Sequence, residues 1–310
     1  MKSIRVLITG NCNANCPNCI NKSIRGDSMI SPRIFRTICE YFSKNHIKNI
    51  RIMGGEPTIH PFFSEMMQIA QENFERVTLF TNGLSRHLLD FYPRADDGVN
   101  YNFNFGLAIK KESYMLDRLG SRIIEVIIHH HSDTEALLSN LEAVLSWSDR
   151  RIAVSLSLDC TENIFIHRLE LVSRLGRVFD YCRTKDIEIV LDHALPLCFV
   201  YGTSIPVPAR GSLCNGDCAG MIDSNLYLHF CNQVSEQSIP IFLDNRLIPF
   251  SVLENQISLV HHKTQVSVLE KICRDCPLYG RYCNGGCFVS NPGITRDDII
   301  NNTQFPLAGN

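Results

Sequence analysis

The chain has 310 residues, 45% of them apolar and 20% charged, and its 30 Lys+Arg against 32 Asp+Glu leave a formal net charge of −2. That composition can fill one large core or two modest ones. It excludes a disordered or fibrous chain and gives no global charge to draw nucleic acid or an anionic membrane surface, so neither is expected as a partner.

In chain order, seven β-rich runs cover 4–9, 49–53, 76–81, 100–108, 122–129, 151–158 and 187–192, of which 100–108 is the least regular. Between them, 31–45 opens on Ser31-Pro32, a good cap and first-turn pair, and repeats Ile34, Phe35, Ile38, Tyr41 and Phe42 at helical spacing. Segments 62–74, 133–147 and 162–182 read as helices on the same grounds. Strand followed by helix, repeated, means βα units and a parallel sheet or barrel. After residue 195, Pro196, Gly202, Pro206, Pro208 and Gly211 punctuate a linker-like stretch. The remainder is short on long amphipathic helices and rich in Cys, Gly and Asn, a texture that needs staples. The expected domains are therefore 1–198 and 199–310.

No run of about 18 apolar residues could cross a bilayer. The opening has only Val6, Leu7 and Ile8 as an apolar stretch, too short for a secretory signal. A cytoplasmic chain with reduced thiols is expected, where clustered cysteines bind metal or do redox chemistry. Fourteen cysteines, roughly 4.5% of the chain (14/310), are fewer than a short disulfide scaffold carries. Their placement says more than their number: three lie within 12–19 and seven within 214–287.

The first cluster, Cys12-Asn13-Ala14-Asn15-Cys16-Pro17-Asn18-Cys19, is C-x3-C-x2-C directly after the first strand. Three thiolates on one loop can hold three corners of an iron-sulfur cubane and leave the fourth iron open to another ligand; part of a zinc site is the alternative. Gly54-Gly55-Glu56-Pro57 follows the second strand and Thr81-Asn82-Gly83 ends the third. In this order the motifs resemble those of the radical S-adenosylmethionine (SAM) superfamily, whose fold is a partial (β/α)6 barrel. Asn18 departs from the aromatic residue many members carry there.

The resemblance implies a 4Fe-4S cluster on Cys12, Cys16 and Cys19 whose open iron binds SAM. Gly54, Gly55, Glu56 and Pro57 would meet the methionine amino group, with Thr81 and Asn82 also at the cofactor. Glycines allow close approach to a ligand, and Glu56 offers an acceptor to an ammonium. Reduction would cleave SAM to methionine and a 5′-deoxyadenosyl radical that abstracts a substrate hydrogen atom, with flavodoxin or ferredoxin as reductant.

Cys214, Cys218 and Cys231, followed by Cys273-x2-Cys276-x6-Cys283-x3-Cys287, resemble the SPASM extension of such enzymes, with 218–231 as its hairpin and Asn225 where a turn glycine is usual. The family pattern puts one auxiliary 4Fe-4S cluster on Cys214, Cys218, Cys231 and Cys287, and part of a second on Cys273, Cys276 and Cys283. The middle gap is six residues where five is usual, and no cysteine follows Cys287 to complete the second cluster. A shorter Twitch arrangement, with one cluster on Cys214, Cys231, Cys273 and Cys276, is the alternative.

Of the other residues, Cys39 and Cys182 fall on helical stretches as packing residues, and Cys160, past the sixth strand, is the candidate catalytic hydrogen donor. Cys198 has a similar but weaker claim. His129, His130 and His131 alternate across a strand end and so do not form a three-His metal site. Asp159 is either a ribose or substrate contact or a strand-end cap. The expected activity is a radical SAM oxidoreductase that matures a ribosomally made peptide. The chain opens directly on the first strand, so a leader peptide is expected to be recognised by a separate leader-binding protein or by the enzyme's own surface. A dehydrogenase or epimerase of a carbohydrate or aminocyclitol is the alternative, and a non-enzymatic iron-sulfur carrier or sensor the third.

Overall fold

A computed structural model describes residues 3–16, 19, 21, 26–85, 87, 99–104, 122–128, 132–146, 152–158, 164–191, 195–203, 205, 220–230, 238–274, 276, 279, 283, 297 and 301. Two compact units divide the chain: Met1–Glu125, Val144–Ile152 and Asp217–Leu259 in the first, and Val126–Ala143, Ala153–Gly216 and Val260–Asn310 in the second.

All seven expected strands are present. In the first unit, β1 (Ser3–Leu7), β2 (Asn49–Met53), β3 (Arg76–Thr81), β4 (Val99–Asn104) and the start of β5 (Arg122–Ile128) pair in parallel and in sequence order. Their register runs Val6↔Ile52, Ile52↔Leu79, Leu79↔Tyr101 and Tyr101↔Arg122. Parallel pairing requires crossovers, and two are helical. Helix α1 (Pro32–Lys44) starts where the Ser31 hydroxyl accepts the Ile34 N–H and buries Phe35, Ile38, Cys39 and Phe42 along one face. Burying each of the larger three contributes about 1.5–3 kcal/mol. It stops at Asn45, and the next residue, His46, takes a left-handed φ of 64°. Helix α2 (Phe63–Asn73) buries Phe63, Met66, Met67, Ile69 and Ala70.

His60, just before α2, donates from Nε2 to the Ile30 carbonyl at 3.1 Å and accepts the Phe62 N–H on Nδ1 at 3.1 Å, which assigns the neutral tautomer. Burial lowers its pKa below the ordinary 6.5, with the Ile30 carbonyl pulling the other way. The folded value is depressed, so the stability the neutral ring supplies is whole above pH 6.5 and is lost as pH falls through the folded value. Melting temperature should therefore decline from pH ~7.5 to ~5, less steeply in His60→Gln; identical slopes would remove His60 from the account.

The chain re-enters this same sheet late. Strand β8 (Met221–Ile222) pairs in parallel with β1, Val6 opposite Ile222, and in antiparallel with β9 (Tyr227–His229), which pairs with β10 (Ile239–Pro240). Because β8 takes its backbone partners from β1, Asp217–Leu259 falls within the first compact unit. Strands β8 and β9 form a hairpin whose turn is closed by Asp223. One Asp223 oxygen accepts the Asn225 and Tyr227 N–H groups at 2.9 Å each, and the other meets His229 Nε2 at 2.8 Å. The left-handed residue is Leu226 (φ 69°), not Asn225. A second two-stranded ribbon, β11 (Phe242–Leu243) with β12 (Arg246–Leu247), follows.

In the second unit, helix α3 (Thr134–Ser146) begins on Asp133, whose carboxylate accepts the Glu135 and Ala136 N–H groups. Strand β6 (Ile152–Leu158) pairs in parallel with β7 (Glu188–Leu191) across helix α4 (Arg168–Thr184), which starts later than the expected 162. Two expectations fail. Leu197–Val200, read as linker, is a helical turn, here α5. The C-terminal region, read as short of long helices, carries α6, Phe250–Ile272, with Leu253, Ile257 and Val260 buried at spacings of four and three. Its β-branched residues mask the helical signal, and tertiary packing decides.

Candidate functional site

The cysteine loop leaves the C-terminal end of β1, and the backbone fixes where it goes. The Gly55 N–H donates to the Thr9 carbonyl at 2.8 Å and the Glu56 N–H to the Asn11 carbonyl at 2.7 Å. From the other side, the Gly10 N–H reaches the Ser28 carbonyl at 2.9 Å and Asn21 Nδ2 the Gly54 carbonyl at 2.9 Å. A Cβ on Gly54 would lie 2.5 Å from the Thr9 carbonyl oxygen, and one on Gly55 would lie 2.1 Å from that of Asn11. The two glycines therefore exist so that the β2 turn can press against the start of the cysteine loop, a tighter reason than approach to a ligand.

Glu56 ties the turn to β3. It is 1% exposed, and one carboxylate oxygen accepts the Thr58 N–H (3.1 Å), the Thr58 hydroxyl and the Thr81 hydroxyl (2.7 Å), while the other accepts the Asn82 N–H (2.7 Å). Burial pushes its carboxyl above the ordinary 4.5, opposed by the bonds from Asn82, Thr58 and Thr81. The side chain expected to reach for an ammonium is turned inward and already holds four donors. Pro57 opens the short 3-10 turn Pro57–Ile59 that supplies two of them.

Asn82 then reaches the cysteine loop. Its Nδ2 donates to Asn13 Oδ1 at 2.8 Å and lies 3.8 Å from Cys12 Sγ, while its Oδ1 accepts the Leu84 N–H at 3.0 Å. The Ala14 N–H also points at Cys12 Sγ, at 3.4 Å. N–H groups aimed at a sulfur stabilise a thiolate and tune a cluster it holds. Cys12, Cys16 and Cys19 are all half-buried and in no disulfide. Under this loop, Leu7, Met53 and Met221 form a buried apolar patch with Phe80 packed against it.

Among the described residues, no three His, Cys, Asp or Glu side chains converge as the ligands of a single metal ion do.

In the second unit, Cys273, Cys276 and Cys283 lie near one another. The Cys276 N–H donates to the Cys273 carbonyl (3.1 Å), the Tyr279 N–H to that of Cys276 (3.1 Å), and Tyr279 bridges to Cys283. Burial, then Cys276 and Cys283, raises the Cys273 thiol to about 12. Cys39 and Cys182 are fully buried, as expected of packing residues. Burial pushes both thiols up, Cys182 to about 11. Cys160, Cys214, Cys218, Cys231, Cys287, Asp159 and His129 to His131 lie outside the described residues. Sequence reading missed Thr58, although its partner Glu56 is only two residues away, and Asn13, because nothing local in a sequence marks a bond made to a residue 69 positions away.

Residues 6–142 match the family model of the Radical SAM superfamily. Over 117 residues the chain is 34% identical to a probable GTP 3',8-cyclase of Methanothermobacter marburgensis, covering 36% of this chain and 37% of that one. Over 201 residues it is 21% identical to the GTP 3',8-cyclase of Staphylococcus epidermidis, covering 61% and 53%. The chain thus spans about half or less of the length of these curated relatives. Among solved structures, Streptococcus suis SuiB bound to S-adenosylmethionine superposes with a TM-score of 0.68 at 15% identity, over 98% of this chain and 77% of that one. Native anSMEcpe with bound AdoMet and Kp18Cys peptide gives 0.63 at 12% identity, over 97% and 95%. Similarity at this level establishes a shared fold.

Proposed function

From the premise that this chain is a radical SAM enzyme, its domain lying at 6–142, we propose that it oxidatively modifies a ribosomally made peptide. Cys12, Cys16 and Cys19 would hold a SAM-binding 4Fe-4S cluster, and further cysteines at least one auxiliary cluster. Bound together, the cluster and SAM supply a 5′-deoxyadenosyl radical able to abstract an unactivated hydrogen atom. The chain's own residues do the rest. Gly54 and Gly55 lock the β2 turn to the loop. Glu56 aligns the ends of β2 and β3, and Asn82 holds Asn13 and the Cys12 sulfur. With its carboxylate engaged, Glu56 meets the methionine end of SAM through the backbone of its turn. Auxiliary clusters would accept the electron left on a substrate radical, giving a net two-electron oxidation.

Coverage carries the peptide reading: a structure holding both AdoMet and a peptide matches 97% of this chain, auxiliary region included. The names of the curated relatives favour a second reading, cyclisation of a nucleoside triphosphate, but they match 36% and 61% of this chain. A reductant such as flavodoxin or ferredoxin and a separate leader-binding protein would complete the peptide system, in a cytoplasmic setting; no helix among the described residues is long and apolar enough to cross a membrane.

The test is anaerobic reconstitution followed by dithionite reduction with SAM. 5′-Deoxyadenosine should form, with about 12 iron per chain for two auxiliary clusters or about eight for one. Peptides encoded beside the gene should lose two hydrogens while GTP is left unchanged. Consumption of GTP with inert peptides would replace the peptide reading by the second. No 5′-deoxyadenosine from intact clusters would sink both.

A further inference from the structure

Cys273, Cys276 and Cys283 lie together in the second unit, and a 4Fe-4S cluster takes four thiolates. The second unit brings another sulfur to the place from upstream. The Leu197 N–H donates to Cys283 Sγ at 3.5 Å, which sets the next residue, Cys198, beside that thiol. We propose that Cys198 is the fourth ligand of an auxiliary 4Fe-4S cluster held by Cys273, Cys276 and Cys283. The assignment rests on the proposal above that this region binds such a cluster.

Three observations support it. The first is the contact itself: the Leu197 N–H reaches the Cys283 sulfur, and Cys283 pairs with Tyr279, which is bonded in turn to the backbone that carries Cys276 and Cys273.

The second observation is a device that fixes Cys198. Arg168, at the start of α4 and 7% exposed, donates Nε to the Phe199 carbonyl at 2.7 Å and Nη2 to the Tyr201 carbonyl at 2.6 Å. The Phe199 ring meets Phe165 edge-on, with centroids 5.5 Å apart. The residues that flank Cys198 are thus held by a bond to Cys283 on one side and a buried guanidinium on the other. A cation there also offsets the negative charge of a thiolate-ligated cluster.

The third is the local structure at Cys198. The single turn Leu197–Val200 interrupts an otherwise Pro- and Gly-punctuated stretch, and it does so at the residue that faces the cysteine set.

The experiment starts from full-length Cys12→Ala/Cys16→Ala/Cys19→Ala protein, reconstituted anaerobically, so that only auxiliary iron is read. Adding Cys198→Ala should remove about four iron per chain or convert the cluster to a 3Fe-4S species with its oxidised-state EPR signal. Cys273→Ala should do the same, and the two together no more than either. Cys198→Ala that keeps its iron and the reduced 4Fe-4S spectrum, while Cys273→Ala loses them, overturns the assignment and leaves the auxiliary cluster standing. Cys273→Ala that loses nothing overturns the auxiliary cluster on these residues as well. Because Cys198→Ala can also fail by misfolding, the wild-type holoprotein carries a second reading. Under anaerobic iodoacetamide, Cys198 should be protected and become labelled in step with Cys273 and Cys276 when the iron is chelated. Labelling of Cys198 in fully loaded protein would refute its ligation.

Discussion

Cys12→Ala is expected to abolish 5′-deoxyadenosine formation, and to remove about four iron per chain while leaving the far-UV circular dichroism unchanged. The size of the effect follows from what the residue does. Residues that support a metal ligand typically cost 10–100-fold when removed, so loss of one of only three ligands should exceed about 100-fold. The fold should survive because Cys12 is half-buried on a loop whose course is set by other groups: the Gly55–Thr9 and Glu56–Asn11 backbone bonds and the Gly10–Ser28 bond. Asn82→Ala is the graded comparison. It removes the donor to Asn13 and the N–H near the Cys12 sulfur but no ligand, so its loss should fall within the 10–100-fold range. Retained turnover in Cys12→Ala, with SAM cleavage measured directly, would refute the placement of the cluster on this loop.

The parallel sheet was legible because β-rich runs alternate with helical stretches along the chain, and the first helix because Ser31-Pro32 and the Phe35, Ile38, Phe42 spacing carry their own signals. The late return of the chain was not legible. Strand β8 is two residues long, and nothing in Met221–Ile222 says that its partner is β1, some 200 residues earlier. Helix α6 was hidden by its β-branched residues, since local propensity there opposes the element that packing selects. At the site, the motifs marked the residues but not the protein contacts that three of them make. Gly54 and Gly55 serve loop-to-loop packing, and the Glu56 carboxylate serves Thr58, Thr81 and Asn82. Cys198 could not be linked to Cys283 by spacing at all, because 85 residues and a change of element separate them.

Glu56→Ala should be among the most destabilising single changes in the first unit. It deletes an acceptor for the Thr58 N–H and hydroxyl, the Thr81 hydroxyl and the Asn82 N–H, at a residue that is 1% exposed. An unsatisfied buried donor costs about 1–3 kcal/mol, and even if water enters the space and recovers half of the four, a loss of about 2–6 kcal/mol remains. The competing effect is the burial of the charge itself. Burial is the larger influence and raises the Glu56 pKa, so the folded state favours the protonated carboxyl more than the unfolded chain does. That contribution is fully present below the ordinary 4.5 and is lost as pH rises through the folded value, so at neutral pH the charge is held at a cost. Removing only the charge should therefore hurt less than removing the acceptor. Glu56→Gln keeps one oxygen for the Thr58 and Thr81 donors but sets an amide against the Asn82 N–H, for about 1–3 kcal/mol, and Thr81→Val, which deletes one bond, should lose the least. Urea unfolding at neutral pH measures the series, with midpoints expected in the order Thr81→Val, Glu56→Gln, Glu56→Ala from highest to lowest. SAM cleavage should follow the same order, because the bonds that stabilise this corner also set the β2 turn and Asn82 against the cysteine loop. A Glu56→Ala protein as stable as wild type would mean that the donors find other partners, and the carboxylate would then not be what aligns the two strand ends.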